Sequence, residues 1–571
     1  MRWVMPEGIG EESSAAVAAA LGLHPLAARV LWNRGLRSSG SVAAFLGDKL
    51  ADLPDPLTMK GMPAAVERLC RAIRAREKVT LWGDYDVDGV CSTALLSLFM
   101  RELGAEPATY LPHRLGEGYG LNGAAIERIA ADGTRLLVTL DCGITSHAEI
   151  ATANAKGLEV VVVDHHAVPE TMPPAVAVLN PHQPGCGYPT RHLCAAGVTF
   201  NLCMGVRRRL REEGYFAGRQ EPHLRSLLDL VALATVADVV PLTGANRILV
   251  RQGLAELTAA KRPGVRALKE VAGLSAEAEV TAGHVGFRLG PRINAAGRLA
   301  DASVGLRLLC ASSLPEARTL AAALDAANAE RQAVEREILE AALRQAEGKK
   351  GARGLVLHSE GWHPGVIGIV ASRVVERYHR PTVMVAVHEG MGRGSGRSID
   401  GFHLFDALKA CEAHLAKWGG HKHAAGLSVE PSRLASFSEA FEKVAAERLS
   451  EEDLVPRCRI DAVVTPQELD ERAVAGVGAL APFGQGNPEP VFAARRLVGQ
   501  PRIVTRKSKD GPDHLKLTLE AASHLDAIGF GMADRLPLTE GPVDLAFQAA
   551  IDEWNGRRRV SLKLKDMRAS G

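Results

Sequence analysis

Short apolar runs recur along the first half of the chain, and each ends abruptly on a carboxylate. Lys78-Val79-Thr80-Leu81 leads into Trp82-Gly83-Asp84-Tyr85-Asp86-Val87-Asp88-Gly89. Arg135-Leu136-Leu137-Val138-Thr139-Leu140 stops at Asp141-Cys142-Gly143, and Leu158-Glu159-Val160-Val161-Val162-Val163 stops at Asp164-His165-His166. The last two runs are β-branched and nearly all apolar, as strands covered on both faces are. Helix-like stretches separate them, the first being Val90 to Phe99. This alternation from about residue 56 to 250 predicts an α/β domain with a mostly parallel sheet.

Five further segments differ in pattern. Residues 1–55 read as a small helical cap, in which Leu23 to Leu31 has helical spacing and Asn33-Arg34-Gly35 a stop. Residues 284–299 are rich in glycine and arginine without helical periodicity; they predict a tight loop, with Arg292 and Arg298 reaching phosphates or bracing two domains. Ser313-Leu314-Pro315-Glu316 is a capping box that opens a connecting helix over 313–349. At 1.5 Å per residue that helix spans ~50 Å, enough to join two lobes. A second α/β lobe follows over 350–450. Its glycine-rich stretches Gly394-Ser395-Gly396-Arg397-Ser398 and Gly419-Gly420-His421-Lys422-His423 read as loops suited to a phosphate: small residues allow close approach, and Arg and His supply donors. From 451 to 571, short alternating strands such as His514 to Leu519 and Val560 to Lys565, with a turn at Trp554-Asn555-Gly556, predict a small barrel of OB-fold type. Arg557, Arg558, Arg559, Lys563 and Lys565 make its last hairpin basic, as a strand-tracking groove requires.

Composition narrows the class. The chain has 571 residues, enough for several domains, with 46% hydrophobic and 23% charged residues, as in ordinary globular proteins. A formal charge of +2 means that any basic surface is local. Nine cysteines without a C-x-x-C pair argue for reduced thiols and against a zinc finger or disulfide frame. No signal-peptide pattern or long apolar run is present, so the expected location is the cytoplasm, with no membrane partner.

The chemistry sits at the strand ends. Three aspartates at alternate positions occupy the carboxyl edge of the predicted sheet, where ligands bind in open α/β folds. Like charges so close repel unless they share protons or cations, so a divalent metal site is the natural solution. An EF-hand is excluded, because Leu95 stands where its glutamate is required. Asp238 interrupts the apolar stretch Ala234 to Leu242 and adds a further carboxylate, expected in the same sheet.

These four motifs, Asp84-Tyr85-Asp86-Val87-Asp88-Gly89, Asp141-Cys142-Gly143, Asp164-His165-His166 and Val236-Ala237-Asp238, resemble those of the DHH phosphoesterase superfamily. Glu117-Gly118-Tyr119-Gly120 and Ala481-Pro482-Phe483-Gly484-Gln485-Gly486-Asn487-Pro488 resemble, within it, the RecJ family of single-strand-specific 5′→3′ DNA exonucleases. The resemblance implies a catalytic DHH domain over 56–312, a DHH-associated domain over 350–450 and a nucleic-acid-binding OB-fold over 451–571. It implies two divalent cations, Mn²⁺ or Mg²⁺, on Asp86, Asp88, Asp141, His165 and Asp238, with Asp141 bridging and Asp84 in the same set or just behind it. Imidazole among carboxylates favours Mn²⁺ more than an all-oxygen set does. Asp164 would orient its neighbour His165, and His166 would touch the scissile phosphate. The substrate implied is single-stranded DNA with a 5′ end, held by Arg373, Ser395, Arg397 and His421 in the second lobe, with Arg292 and Arg298 as further members. A helicase and a single-strand-binding protein are candidate partners, and DNA repair and recombination the setting. Two other readings stay open: a DHH enzyme acting on short oligonucleotides or cyclic dinucleotides, and an inactive nucleic-acid-binding scaffold. The added barrel speaks against the first, and the full ligand set against the second.

Overall fold

The apolar runs form a five-stranded parallel sheet. Its strands are β1 (Val79–Gly83), β2 (Ala108–Tyr110), β3 (Leu136–Leu140), β4 (Glu159–Val163) and β5 (Ala177–Leu179), in the order β2-β1-β3-β4-β5. Strands β1 and β3 are buried at every position, which explains why they lack in–out alternation. The order reverses between β1 and β3, and at such a switch point the carboxyl ends of the strands leave a crevice. Helices α1 (Val87–Glu102) and α2 (Ala195–Glu212) pack on this sheet, and α3 (Leu228–Ala237) packs on both of them.

This computed structural model describes residues 1–7, 11–113, 117–118, 120–299, 301–506, 512–522, 525–554 and 557–571. Arg114, Tyr119, the Asn555-Gly556 turn and the side chain of Arg557 therefore lie outside the described residues. Two units make up the chain. One comprises Trp3–Gly297, Ala302–Ala322 and Cys458–Gly571; the other comprises Met1–Arg2, Arg298–Asp301 and Ala323–Arg457. Helix α4 (Leu314–Glu347) passes from the first to the second. Among the described residues no helix is long and apolar enough to cross a membrane.

In the first unit the two ends of the chain meet. Leu26, Val30, Leu31 and Val42 of the N-terminal helices share one core with Phe492, Leu517, Phe547 and Leu562 of a seven-stranded sheet near the C-terminus. That sheet includes two long strands, Val543–Trp554 and Arg557–Ala569, where shorter ones were expected. Its basic residues are partly neutralised: Arg559 donates to Asp526 at 2.8 Å, and Arg558 lies 3.8 Å from Glu471.

The second unit holds a five-stranded sheet of β6 (Leu355–Ser359), β7 (Thr382–His388), β8 (Met391–Arg397), β9 (Lys417–Gly420) and β10 (Ala424–Val429), in the order β9-β10-β8-β7-β6. Helix α5 (Ile367–Tyr378) packs on β7 and β8. The glycine-rich segment ending at Arg397 is thus a strand rather than a loop. Its glycines serve packing: a Cβ at Gly394 would stand 2.5 Å from Leu427, and one at Gly396 would stand 2.9 Å from Leu404.

Residues 284–299 also differ from expectation. They are helical, a π-helical turn at Val285–Leu289 followed by an α-helix at Gly290–Leu299. The missing periodicity comes from close contacts on several sides, for a Cβ at Gly297 would sit 2.4 Å from the carbonyl oxygen of Tyr85.

Candidate metal centre

The parallel ladder runs one residue past the end of each strand. The amide of Asp84 donates to Leu140 O at 3.2 Å, that of Asp141 to Val163 O at 2.9 Å, and that of Asp164 to Leu179 O at 2.9 Å. One row of backbone hydrogen bonds therefore lines up the first residue after β1, β3 and β4, and three separated motifs become neighbours. Asp86 caps α1: its Oδ1 accepts from the amides of Asp88 at 2.9 Å and Gly89 at 3.2 Å. Asp88 is buried and accepts from the first amides of α2, Ala195 at 2.6 Å and Ala196 at 2.8 Å, where the helix dipole favours negative charge. Asp141 has φ +67°, a left-handed conformation that aspartate and asparagine tolerate better than most residues.

Asp238 arrives by a different route from the one the sequence suggests. It is no part of the sheet but the C-cap of α3, its amide bonded to Ala234 O at 2.9 Å. A carboxylate at the negative end of a helix is electrostatically unfavourable. The next residue, Val239, has φ +58°, a costly conformation for a β-branched side chain.

These elements converge on His165. Its Nε2 is buried, makes no hydrogen bond, and lies 3.2 Å from Asp141 Oδ1, 3.6 Å from Asp88 Oδ2 and 3.7 Å from Asp238 Oδ2. Two groups of oxygen and nitrogen atoms each fall within 4.8 Å: Asp84, Asp86 and Asp141, and Asp88, His165 and Asp238. Asp141 belongs to the first and also groups with His165 and His166. Asp84 is in the first of these groups.

Electrostatics make the case for cations. Burial, followed by the charges of Asp88, Asp86, Asp84 and Asp238, holds the Asp141 carboxyl well above the usual range. Burial raises Asp88 against the pull of His165, and burial with Asp88 and Asp86 pushes Asp238 up to about 8. Burial also keeps His165 below its ordinary value, so its ring is neutral and able to coordinate. A cluster that retains protons in this way fits divalent cations in their place. Carboxylate oxygens with one imidazole suit Mn²⁺, and Mg²⁺ through the oxygens.

Asp164 pairs with a different histidine from the one expected. Its Oδ1 lies 2.7 Å from Nδ1 of His166, and Oδ2 accepts from the Ile144 amide at 2.9 Å. It orients His166, not the ring of His165. Burial alone would lower His166, but the hydrogen bond and charge of Asp164 outweigh it and raise the imidazole to about 9. With no cation bound, Asp164 thus favours an imidazolium at the edge of the cluster.

Several supporting residues are not apparent from the sequence. Asn294 Oδ1 accepts from the Val87 amide at 3.1 Å, and Gly297 packs on Tyr85, so residues 284–299 buttress the acidic loop. Asn180 donates to His166 O at 2.8 Å. Arg292 donates to the carbonyls of Arg288 and Val271, and Arg298 to that of Gly365 at 2.8 Å.

In the second unit, Ser395 and Arg397 lie against the first turn of α5. A Cβ on Gly368 would be 2.9 Å from Ser395 Oγ and 3.1 Å from the Arg397 guanidinium. His421 closes the β9–β10 turn, its amide bonded to Ala424, the register partner of Arg397. Arg373, one and a half turns along α5, is engaged by Glu335 at 3.4 Å and Glu376 at 3.1 Å.

Residues 78–235 match the DHH family, N-terminal domain; residues 351–447 match the DHHA1 domain; residues 460–566 match the RecJ OB domain. The single-stranded-DNA-specific exonuclease RecJ of Dickeya dadantii is 40% identical over 95% of this chain and 96% of its own length. The crystal structure of RecJ from Thermus thermophilus in complex with Mn²⁺ aligns with a TM-score of 0.84 at 33% identity, covering 100% of this chain and 80% of that one. The same protein in complex with Mg²⁺ aligns with a TM-score of 0.78 at 31% identity, over 100% of this chain and 79% of that one. The motifs, the three domains and the fold agree, and this chain belongs to the RecJ family of single-stranded-DNA-specific exonucleases.

Proposed function

We propose that this chain digests single-stranded DNA from the 5′ end, releasing 5′-mononucleotides by hydrolysis at two divalent cations, Mn²⁺ or Mg²⁺. The observation that carries the reading is the convergence of three buried or half-buried carboxylates, Asp88, Asp141 and Asp238, on the unbonded Nε2 of His165. Asp84, Asp86 and Asp141 would hold one cation; Asp88, His165 and Asp238 would hold the other; Asp141 joins them. Such cations, when bound, activate water and neutralise the phosphate and leaving oxygen. Around them the chain supplies position. The amides of α2 fix Asp88, the ladder fixes Asp84 and Asp141, and Asp164 keeps His166 charged and aimed. His166 then donates to an oxygen of the scissile phosphate.

A terminal phosphate carries more charge than an internal diester, and charge-assisted hydrogen bonds are roughly twice as strong as neutral ones. Ser395, Arg397 and His421, with the amides that open α5, form the proposed 5′-phosphate pocket. Arg373, held by two glutamates, adds field rather than a direct contact. Arg292 and Arg298 cap carbonyls, and we assign them to support. The domain limits 1–55, 56–312, 313–349, 350–450 and 451–571 are proposed as the functional divisions. A helicase and a single-strand-binding protein are the partners that a single-strand substrate calls for in repair and recombination, and co-purification tests them. The central experiment compares 5′-labelled and 3′-labelled single strands under Mn²⁺. Early release of labelled mononucleotide from the 5′-labelled strand supports the reading; release from the 3′ label first, or equal digestion of blunt duplex, refutes it.

A further inference from the structure

The carboxyl edge of the sheet does not end at β4. Strand β5 stops at Leu179, and the next residues, Asn180-Pro181-His182, leave the sheet at the same edge as the metal-ligand motifs. The loop that begins there runs to Cys194, just before α2, and both of its ends are fastened to the metal centre. Asn180 donates to His166 O at 2.8 Å and accepts from the His182 amide at 2.8 Å. At the other end, Ala195 and Ala196 hold Asp88. In between, Thr190 Oγ1 accepts from the Ala245 amide at 3.3 Å, and Asn246 donates to His192 O at 2.5 Å. The loop is therefore fixed relative to the cluster.

It carries three basic side chains that the site described above does not use. The rings of His182 and His192 stack at 5.3 Å, tilted by 59°, with Arg191 adjacent in the chain. His182 is half-buried, while Arg191 and His192 are exposed. None of the three side chains makes a hydrogen bond or ion pair among the described residues, although most arginines of this unit have carboxylate partners. A guanidinium beside two imidazoles on an anchored loop, none of them bonded to an acceptor among the described residues, offers one positive charge and several N–H donors to an anion. The adjoining guanidinium disfavours a further metal ion on the imidazoles.

We propose that His182, Arg191 and His192 form a phosphodiester subsite that grips the single strand beside the scissile linkage, on the β5 side of the metal centre. The subsite rests on the hydrolytic reading above. It would set the register of the strand and add to affinity through the backbone, without reading bases.

The test uses the full-length protein with Mn²⁺ and 5′-phosphorylated oligothymidylates bearing one uncharged methylphosphonate at successive internal linkages. Half-saturating concentrations for the first cleavage are measured for wild type, His182→Ala, Arg191→Ala, Arg191→Lys and His192→Ala. In the wild type, one linkage next to the cut should raise the half-saturating concentration about tenfold, the loss expected for a charged hydrogen bond. That penalty should vanish in Arg191→Ala and largely persist in Arg191→Lys, because coupling disappears when either partner is already gone. Each lost contact should also flatten the slope of log affinity against log salt by about 0.7. An identical linkage profile in wild type and all variants overturns the subsite. So does loss of one bound Mn²⁺ in His182→Ala with an unaltered profile, which would make the imidazole pair a cation site. A wild-type protein that leaves unmodified single strands intact overturns the hydrolytic reading itself, and the subsite with it.

Discussion

Gly89 offers the sharpest test of how the acidic loop is built. It lies in the first turn of α1 with an ordinary backbone conformation, so freedom of φ is not what demands glycine there. Space demands it: a Cβ at this position would stand 2.5 Å from both the amide nitrogen and the carbonyl oxygen of Asp84, and 2.7 Å from its carbonyl carbon. Ordinary contact begins near 3.4 Å, so helix and loop must part by about 0.9 Å. All three atoms are backbone, and no flexible side chain can yield. The displaced residue is itself bonded to Leu140 O at 3.2 Å, in the row that aligns the cluster. Overpacking of this kind costs about 1–3 kcal/mol, and a shift of about 1 Å in a reacting constellation lowers rates on the order of a hundredfold. Gly89→Ala should therefore lose about that much turnover on single-stranded DNA under Mn²⁺ and unfold at lower denaturant. Gly40→Ala, in the helix Ser39–Leu46 with nothing within 4 Å of its would-be Cβ, is the control. There alanine should raise stability by at most about 1 kcal/mol and leave turnover unchanged. A Gly89→Ala enzyme with wild-type rate and wild-type unfolding midpoint would refute the claim that loop and helix are locked at this contact.

Asp141→Asn keeps the shape and the left-handed backbone but removes the bridging charge; activity should collapse and Mn²⁺ stoichiometry by calorimetry should fall, with circular dichroism unchanged. Arg397→Ala should erase the preference for 5′-phosphate over 5′-hydroxyl ends while calorimetry finds the same Mn²⁺ binding. The raised carboxyls of Asp141, Asp88 and Asp238 mean that the metal-free folded state binds more protons than the unfolded state from about pH 4, the ordinary carboxylate range, to about 8, the Asp238 value. Stability in chelator should therefore fall as pH rises through that window, and His166, raised to about 9, extends the fall beyond it. Mn²⁺ replaces the protons, so its stabilising shift in thermal melts should be larger near pH 8 than near pH 6, and the opposite order would contradict the cluster's electrostatics. Arg34 donates from Nε to Asp461 at 2.8 Å and from a terminal nitrogen at 3.1 Å, in a largely buried pair that Asn487 also joins. Arg34→Ala should cost about 3–5 kcal/mol, measured by urea unfolding.

The strands that end on Asp84, Asp141 and Asp164 were legible because burial on both faces leaves a local mark, an unbroken β-branched run. Asp238 was harder to place for the same reason. Helix α3 is buried nearly all round, so its apolar run has no 3.6-residue period to separate it from a strand. Residues 284–299 failed differently: their glycines answer to contacts with Tyr85 and other distant groups, and the helical pattern is overwritten.

The sequence by itself determined the α/β class, the ligand types and their attachment to the ends of elements, since each follows from residues within a few positions of one another. Only the tertiary structure decided which groups meet. Asp88 takes its hydrogen bonds from amides 107 and 108 residues away, Arg34 pairs with a carboxylate 427 residues on, and Asp164 serves His166 rather than His165. Such pairings depend on directions and distances that arise only when the sheet has formed, because the desolvation that makes a buried charge seek a partner does not exist in the extended chain.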